Sequence, residues 1–243
     1  MSDRRVRVLA GRIQQAPAFL NGACWMLSVR ENLHHCFCGG RAIFLDAAAG
    51  RYFCLPPAGE TAFEAFVRGA ANPEQIDWLR CRNILTIQPA AVTSATPSHP
   101  NALDTSAPVA LPFDANAGLI ALATVERLSA LLILKINGFP RIYRHLARKR
   151  RATRLSGGTG TSSNVDAVVG AFAATDFLFG RTNTCLPRSL AFLSMCNRRG
   201  YYPQLVIGVR VNPFTAHCWI QDQSRILTDS VDQVRIFTPI LAL

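Results

Sequence analysis

Three residues in the last quarter of the chain have the types and the order to carry covalent chemistry. Cys185 lies in Thr-Asn-Thr-Cys-Leu-Pro-Arg-Ser, His217 stands 32 residues later in Thr-Ala-His-Cys-Trp, and Asp229 follows a further 12 residues on in Ile-Leu-Thr-Asp-Ser. A thiol is a weak nucleophile until it is deprotonated. It needs an imidazole within hydrogen-bond reach, and a third group to fix that imidazole's tautomer and orientation. These three residues suit such a set, whose chemistry is attack on a peptide carbonyl.

The local sequence places each of them. Leu186 to Cys196 carries apolar residues at helical spacing, and Pro187 is favourable in a first helical turn, where its missing N–H costs nothing. Cys185 is therefore expected at a helix N-terminus, where the macrodipole and free backbone N–H groups favour thiolate and are available to an oxyanion. Leu205 to Val209 and Ala216 to Ile220 are rich in β-branched and aromatic residues and read as strands, with Arg225 to Thr228 as a third short one. A hairpin through the polar turn Gln221 to Ser224 would set His217 and Asp229 on neighbouring strands. Their even separation is expected to turn both to one face.

A helix-borne Cys facing a sheet-borne His and Asp is the arrangement of papain-like and transglutaminase-like enzymes. Cys-Leu-x-Arg-Ser-Leu-Ala from Cys185 to Ala191, Gly200, Ile207-Gly208-Val209, Phe214-x-Ala-His217-x-Trp219 and Asp229 together resemble the B proteins of lasso-peptide biosynthesis. These are transglutaminase-like leader peptidases of the microcin-processing type, and the resemblance covers roughly residues 165 to 243. It implies Cys185 as nucleophile, His217 as general base and then acid, and Asp229 as the orienting carboxylate. Asp232 lies off the matched position and Asp222 falls in the turn. Two positions depart from the family pattern, Cys218 where a small residue is common and Gln221 where Glu is common. Neither is expected to touch the triad.

Other chemistry-bearing residues read as structural. Cys54, Cys81 and Cys196 are expected as small buried hydrophobes, and Phe214 and Trp219 as core. Cys36-Phe37-Cys38 is too tight for a zinc knuckle, and the remaining cysteines lack ligand spacing, so no metal and no cofactor within the chain is expected. Eight cysteines without a secretory leader are expected as reduced thiols in the cytoplasm. The 243 residues, 49% hydrophobic, allow one large or two small domains. Much of the +11 formal charge lies between Arg141 and Arg154, where seven of fourteen residues are basic, ahead of the loop-like Ser156 to Ser163. Without interleaved aromatics this reads as a solvated helix end, and nucleic acid is not an expected partner. Gly118 to Ile136 is strongly apolar but carries Glu126 and Arg127 at its middle, where charge is most costly in a bilayer. It is expected as a buried helix packed on the catalytic domain, in preference to a dock for a membrane-bound partner.

The expected organisation is α+β, with three parts. Residues 1–87 form a small winged-helix-like domain of three strands plus helices, 88–117 a Pro-rich linker, and 118–243 a transglutaminase- or papain-like cysteine protease domain. Upstream, Leu33 to Phe37, Ala42 to Asp46 and Arg51 to Leu55 read as strands. Ala58 to Arg68 and a segment opened by Pro73 read as helices. This order, with Phe44-Leu-Asp46, Gly50-Arg-Tyr52 and Leu55, resembles the recognition element of enzymes that modify ribosomally made peptides (RiPPs), a domain similar to the quinone-cofactor chaperone PqqD. The resemblance implies that a leader peptide adds a strand to a sheet edge, meeting Arg51, Tyr52, Phe53, Cys54 and Leu55 and the helix residues Trp78 and Leu79. It further implies a precursor peptide as substrate, an asparagine-synthetase-like cyclase that supplies any ATP requirement, and an ABC exporter as a further partner. Gly157 to Gly160 lacks the Lys and the strand–helix flanks of a P-loop. Two other classes stand beside this reading. One is acyl transfer to an amine by the same triad. The other is a non-enzymatic winged-helix binder of nucleic acid or peptide, which the mixed charges Glu74, Asp77, Arg80 and Arg82 disfavour.

Overall fold

The computed structural model describes residues 18–20, 23–89, 105–106, 116–155, 165–179 and 184–243. Most of the expected linker, the segment from Ser156 to Ser163 and the basic N-terminal residues lie outside these.

The N-terminal part holds two three-stranded sheets rather than one. In the first, β2 (Ala23–Val29) pairs antiparallel with both β1 (Ala18–Leu20) and β6 (Leu85–Pro89). The second is the expected meander of β3 (Leu33–Cys38), β4 (Arg41–Asp46) and β5 (Arg51–Cys54). β2 and β6 find each other across more than fifty residues of chain, so no turn signal marks them as a pair. Between the sheets run α1 (Pro57–Val67) and α2 (Pro73–Cys81). Asn72 caps α2 by accepting from the Gln75 N–H while the Gln75 side chain accepts from the Asn72 N–H, which satisfies two otherwise orphaned donors.

β4 decides how this part joins the rest. Its Ala42-Ile43-Phe44-Leu45 run is buried throughout, and side chains alternate across a strand. Ala42 and Phe44 pack with Phe63, Phe66 and Leu79 of α1 and α2. Ile43 and Leu45 enter a second core together with Phe172, Phe192, Ile207 and Cys218 from the C-terminal half. The sheet is thus covered on both faces, and the N- and C-terminal parts share a core.

The apolar and basic stretches form one helix, α3 (Ala117–Leu155), kinked at Gly138 (φ 68°, ψ 166°) just before Pro140. Its first half packs against α4 (Val165–Phe179) and α5 (Cys185–Arg198). Its second half lies on the N-terminal sheet. There the Tyr143 hydroxyl donates to Asn32 Oδ1 at 3.1 Å and lies 2.9 Å from His34 Nε2, and Arg151 meets Glu31 at 3.0 Å. The segment is therefore docked along one side through Tyr143, while Arg141, Arg144, Arg148 and Arg151 are exposed, as expected of a solvated helix end. The apolar half departs from expectation, since its charged residues face inward and much of its aliphatic surface faces out.

The C-terminal sheet runs β11 (Thr238–Ala242), β8 (Gln204–Arg210), β9 (Thr215–Asp222), β10 (Arg225–Ile226), β7 (Thr105–Ser106), and is antiparallel except where β7 joins β10. One short helix, α6 (Val231–Val234), precedes β11. Leu205, Ile207, Cys218 and Ile220 share a core with α5, whereas Val206, Trp219 and Ile226 pack with Val234 in a smaller one. Gly208 sits opposite His217 in the β8–β9 register. A Cβ there would lie 2.9 Å from both the Trp219 ring and Phe237 Cβ, atoms that cannot swing aside. Gly208→Ala is expected to destabilise the fold by about 1–3 kcal/mol through overpacking, read as a lower urea midpoint at an unchanged m-value.

Candidate active site

α5 opens at Cys185, which sets the half-buried thiol at a helix N-terminus, and the Thr184 side chain makes no capping hydrogen bond to the first turn. Two neighbours on β9 reach its sulfur. The Cys218 thiol and backbone N–H both hydrogen-bond to it, as does the His217 ring. Ser189, one turn into α5, donates to the Cys218 carbonyl at 3.2 Å and ties strand to helix. The Cys218 hydrogen bond, aided by the hydrogen bond and charge of His217, overcomes burial and brings the Cys185 thiol down from 9.0 to about 4. Burial first, and then the adjacent Cys185, hold Cys218 well above the usual thiol range, so it stays a neutral donor. The expectation that Cys218 stands clear of the triad is corrected. Neighbouring strand residues point to opposite faces, and only the position of the helix start brings both His217 and Cys218 within reach of one sulfur.

His217 Nε2 lies 3.3 Å from Asp229 Oδ1, which leaves Nδ1 for Cys185. Burial lowers the imidazole's pKa, but hydrogen bonds and charges from Asp229 and Cys185 prevail and raise it to about 9. Burial opposes ionisation of Asp229, yet His217, Arg188 and Thr228 hold its carboxyl below the usual range. Asp222 instead accepts from the Tyr201 hydroxyl at 2.7 Å, and Asp232 pairs with Arg235 at 3.1 Å.

The route by which Asp229 reaches His217 differs from the hairpin argument. The register pairs Arg225 with Asp222 and Ile226 with Gln221, so a continued ladder would set Asp229 opposite Cys218, on the face away from His217. β10 stops first. Leu227 N–H still donates to Ile220 O at 2.9 Å, but the Ile220 N–H donates to Thr228 Oγ1, also at 2.9 Å, in place of a strand carbonyl. The chain then turns, and Thr228 Oγ1 donates to Asp229 Oδ2 at 2.8 Å. Thr228 thus ends the strand and aims the carboxylate.

Arg188 locks this corner to the nucleophile helix. It is buried on α5 and grips Asp176 of α4 bidentately, Nε to Oδ1 at 2.9 Å and Nη2 to Oδ2 at 3.0 Å. Its Nη1 donates to the Thr228 carbonyl and lies 3.7 Å from Asp229 Oδ2. Asp176 also receives Arg127 of α3 at 2.7 Å. In sequence Arg188 shows only as part of a motif, because Asp176, Thr228 and Asp229 are remote from it along the chain.

The N-terminal residues expected to meet a peptide separate into two groups. Arg51, Tyr52, Phe53 and Leu55 line a cavity of about 760 Å³ together with Arg30 and Arg82, on β5, the edge strand of its sheet. Cys54 on the same strand is exposed. By contrast Leu79 is wholly enclosed in the N-terminal core, and Trp78 is held between Gly59 and the Arg82 guanidinium, which stacks 3.8 Å from its ring. Tyr52 reaches the candidate active site. Burial, followed by the nearby Cys218 and Cys185, pushes its hydroxyl up to about 12, and its ring meets Phe214 edge-on at 5.4 Å. Phe214 is half exposed rather than core, whereas Trp219 is fully buried. Cys196 is buried as expected, but Cys54 and Cys81 are surface thiols.

Residues 126–242 match the family model of the transglutaminase-like superfamily, a domain that runs here from the first half of α3 to the end of β11. Members of that superfamily are usually cysteine-dependent enzymes, proteases and acyltransferases among them. No curated protein and no solved structure matches the chain.

Alkylation by iodoacetamide proceeds through thiolate, so its rate at Cys185, followed by peptide mass mapping, is expected to rise near pH 4 and hold through neutrality. Cys218→Ala removes a hydrogen bond of about 1.4 kcal/mol and should move that rise up by about one pH unit. A titration that stays in place would deny Cys218 this role.

Proposed function

We propose that the protein is a leader peptidase of the lasso-peptide B type, in which an N-terminal recognition element and a cysteine peptidase are fused in one chain. The observation that carries this reading is the Cys185–His217 pair, anchored by Asp229 and facing Tyr52 of an edge strand that has a cavity alongside. A leader peptide extended along β5 would pass Tyr52, which lies near Cys185. The precursor peptide is the substrate, an asparagine-synthetase-like cyclase the partner that takes the product and brings any ATP requirement, and the cytoplasm the compartment.

The reaction follows from the geometry. Cys185 Sγ, as thiolate, attacks the carbonyl carbon of the leader–core bond, and backbone N–H groups at the α5 N-terminus meet the resulting oxyanion. His217 as imidazolium gives its proton to the departing core amine, the C–N bond breaks, and the leader is left as a thioester on Cys185. Neutral His217 then takes a proton from water, whose oxygen attacks the thioester. The C–S bond breaks, the leader leaves as a carboxylic acid, and the thiolate–imidazolium pair is restored. Asp229 holds the ring and its charge through both steps.

Because the reacting form is thiolate with imidazolium, kcat/KM is expected to rise as Cys185 loses its proton near pH 4 and to fall as His217 loses its own near pH 9. Mass spectrometry of a precursor from the same gene neighbourhood tests the reading, with wild type and Cys185→Ala, each with and without cyclase and ATP. One Cys185-dependent cut yielding leader acid and free core supports hydrolysis. Leader joined to an added primary amine would instead assign acyl transfer. An intact precursor that nevertheless binds would leave only a binding role.

A further inference from the structure

The first half of α3 is built inside out. Glu126 and Arg127 are 6% and 2% exposed, whereas Val125, Leu132 and Ile136 are 57%, 57% and 65% exposed. With Leu128, these form a stripe at positions 125, 128, 132 and 136, one face of a helix, and Leu131 and Ile133 widen it. Only 22% of the most apolar 18-residue window is buried, and among the described residues no side chain covers the stripe. α4, whose last turn sits beside Arg127, adds exposed Phe177 and Leu178. A contiguous apolar face of this extent is rare on a soluble protein without a partner.

The inward charges explain why the helix cannot turn this face to the core. Arg127 donates to Thr175 Oγ1 at 2.9 Å and to Asp176 at 2.7 Å, and Glu126 meets Arg198 at 2.9 Å. Rotating α3 would break these pairs and take from the largely buried Asp176 carboxylate one of the cations that compensate it. The helix is long and apolar enough to cross a membrane, but these pairs hold it against α4 and α5, so that only its outward face is offered to one.

Charge identifies the occupant. Glu126 is the only acidic residue in α3, and it is internal. Lys135 lies beside the stripe, and past the kink Arg141, Arg144 and Arg148 are exposed. Aliphatic side chains followed by cations on one helix match the acyl boundary and the headgroups of an anionic bilayer surface. We propose that the exposed face of α3 docks the protein peripherally on anionic membrane, with the Val125–Leu128–Leu132–Ile136 stripe in the acyl boundary and the basic half on the headgroups. This is independent of the peptidase reading.

Flotation of the full chain with vesicles tests it, using phosphatidylcholine alone and phosphatidylcholine mixed with phosphatidylglycerol. The wild type is expected to float with the mixed vesicles, and high salt should weaken this. Leu132→Asp with Ile136→Asp should lower the partition coefficient by about tenfold or more, with circular dichroism and the Cys185 alkylation rate unchanged. Arg144→Gln with Arg148→Gln should reduce the preference for phosphatidylglycerol by a similar factor. Three results would each overturn the proposal: wild type that stays in solution with both vesicles, flotation that the Leu132 and Ile136 changes leave untouched, or a dimer in sedimentation equilibrium that those changes dissociate. The last would assign the face to a second copy of the chain.

Discussion

The carboxylate of Asp176 lies between two buried guanidiniums, Arg127 from α3 and Arg188 from α5, and most of the C-terminal half takes its geometry from that arrangement. Charges removed from water are tolerated only when they are paired in good geometry, and losing one partner leaves the others stranded. α3, α4 and α5 are therefore fixed to one another within a narrow range. Through Nη1, Arg188 passes the constraint to Thr228 and Asp229, so the helix carrying the candidate nucleophile and the loop carrying the carboxylate are held by one side chain. Through Arg127 the same carboxylate sets the rotation of α3, which puts the aliphatic stripe on the outside. The alignment of the candidate site and the character of the outer surface thus follow from one buried cluster.

The relation between the two parts of the chain also differs from two beads on a string. A tether raises local concentration by an amount its length determines. Here Ile43 and Leu45 lie in the same core as Phe192 and Ile207, Tyr143 binds Asn32, and Tyr52 sits against Phe214. The distance from the edge of β5 to Cys185 is accordingly a property of packing. A peptide held on that edge would be presented to the sulfur in a fixed orientation, and this is where positional precision contributes most to rate.

Electrostatics at the sulfur depend on a residue that resemblance alone would set aside. A departure from a family pattern at Cys218 has no evident meaning along the chain, since it flanks His217 and should face away from it. In the folded protein its thiol is enclosed, kept protonated by burial, and aimed at Cys185. A neutral donor beside a thiolate stabilises the charge without adding one of its own, and it complements the imidazolium on the other side.

Features that depend on a few adjacent residues were legible in the sequence: the helix starting at Cys185, the strands around His217, the β3–β5 meander and the start of α2 at Pro73. Propensity, periodicity and turn chemistry are local, and the order Cys, His, Asp needs no coordinates. The unbroken apolar run of β4 also carried a readable sign of burial on both faces, though not of what would cover the second one. Other features were settled only by the tertiary structure. These are the pairing of β2 with β6, the early end of β10 that swings Asp229 to His217, the contact of Cys218 with Cys185, and the inward turn of Glu126 and Arg127. Each depends on a partner remote in the chain. A charge is costly or favourable to bury according to what waits at its destination, and for Arg127 that is Asp176, 49 residues away.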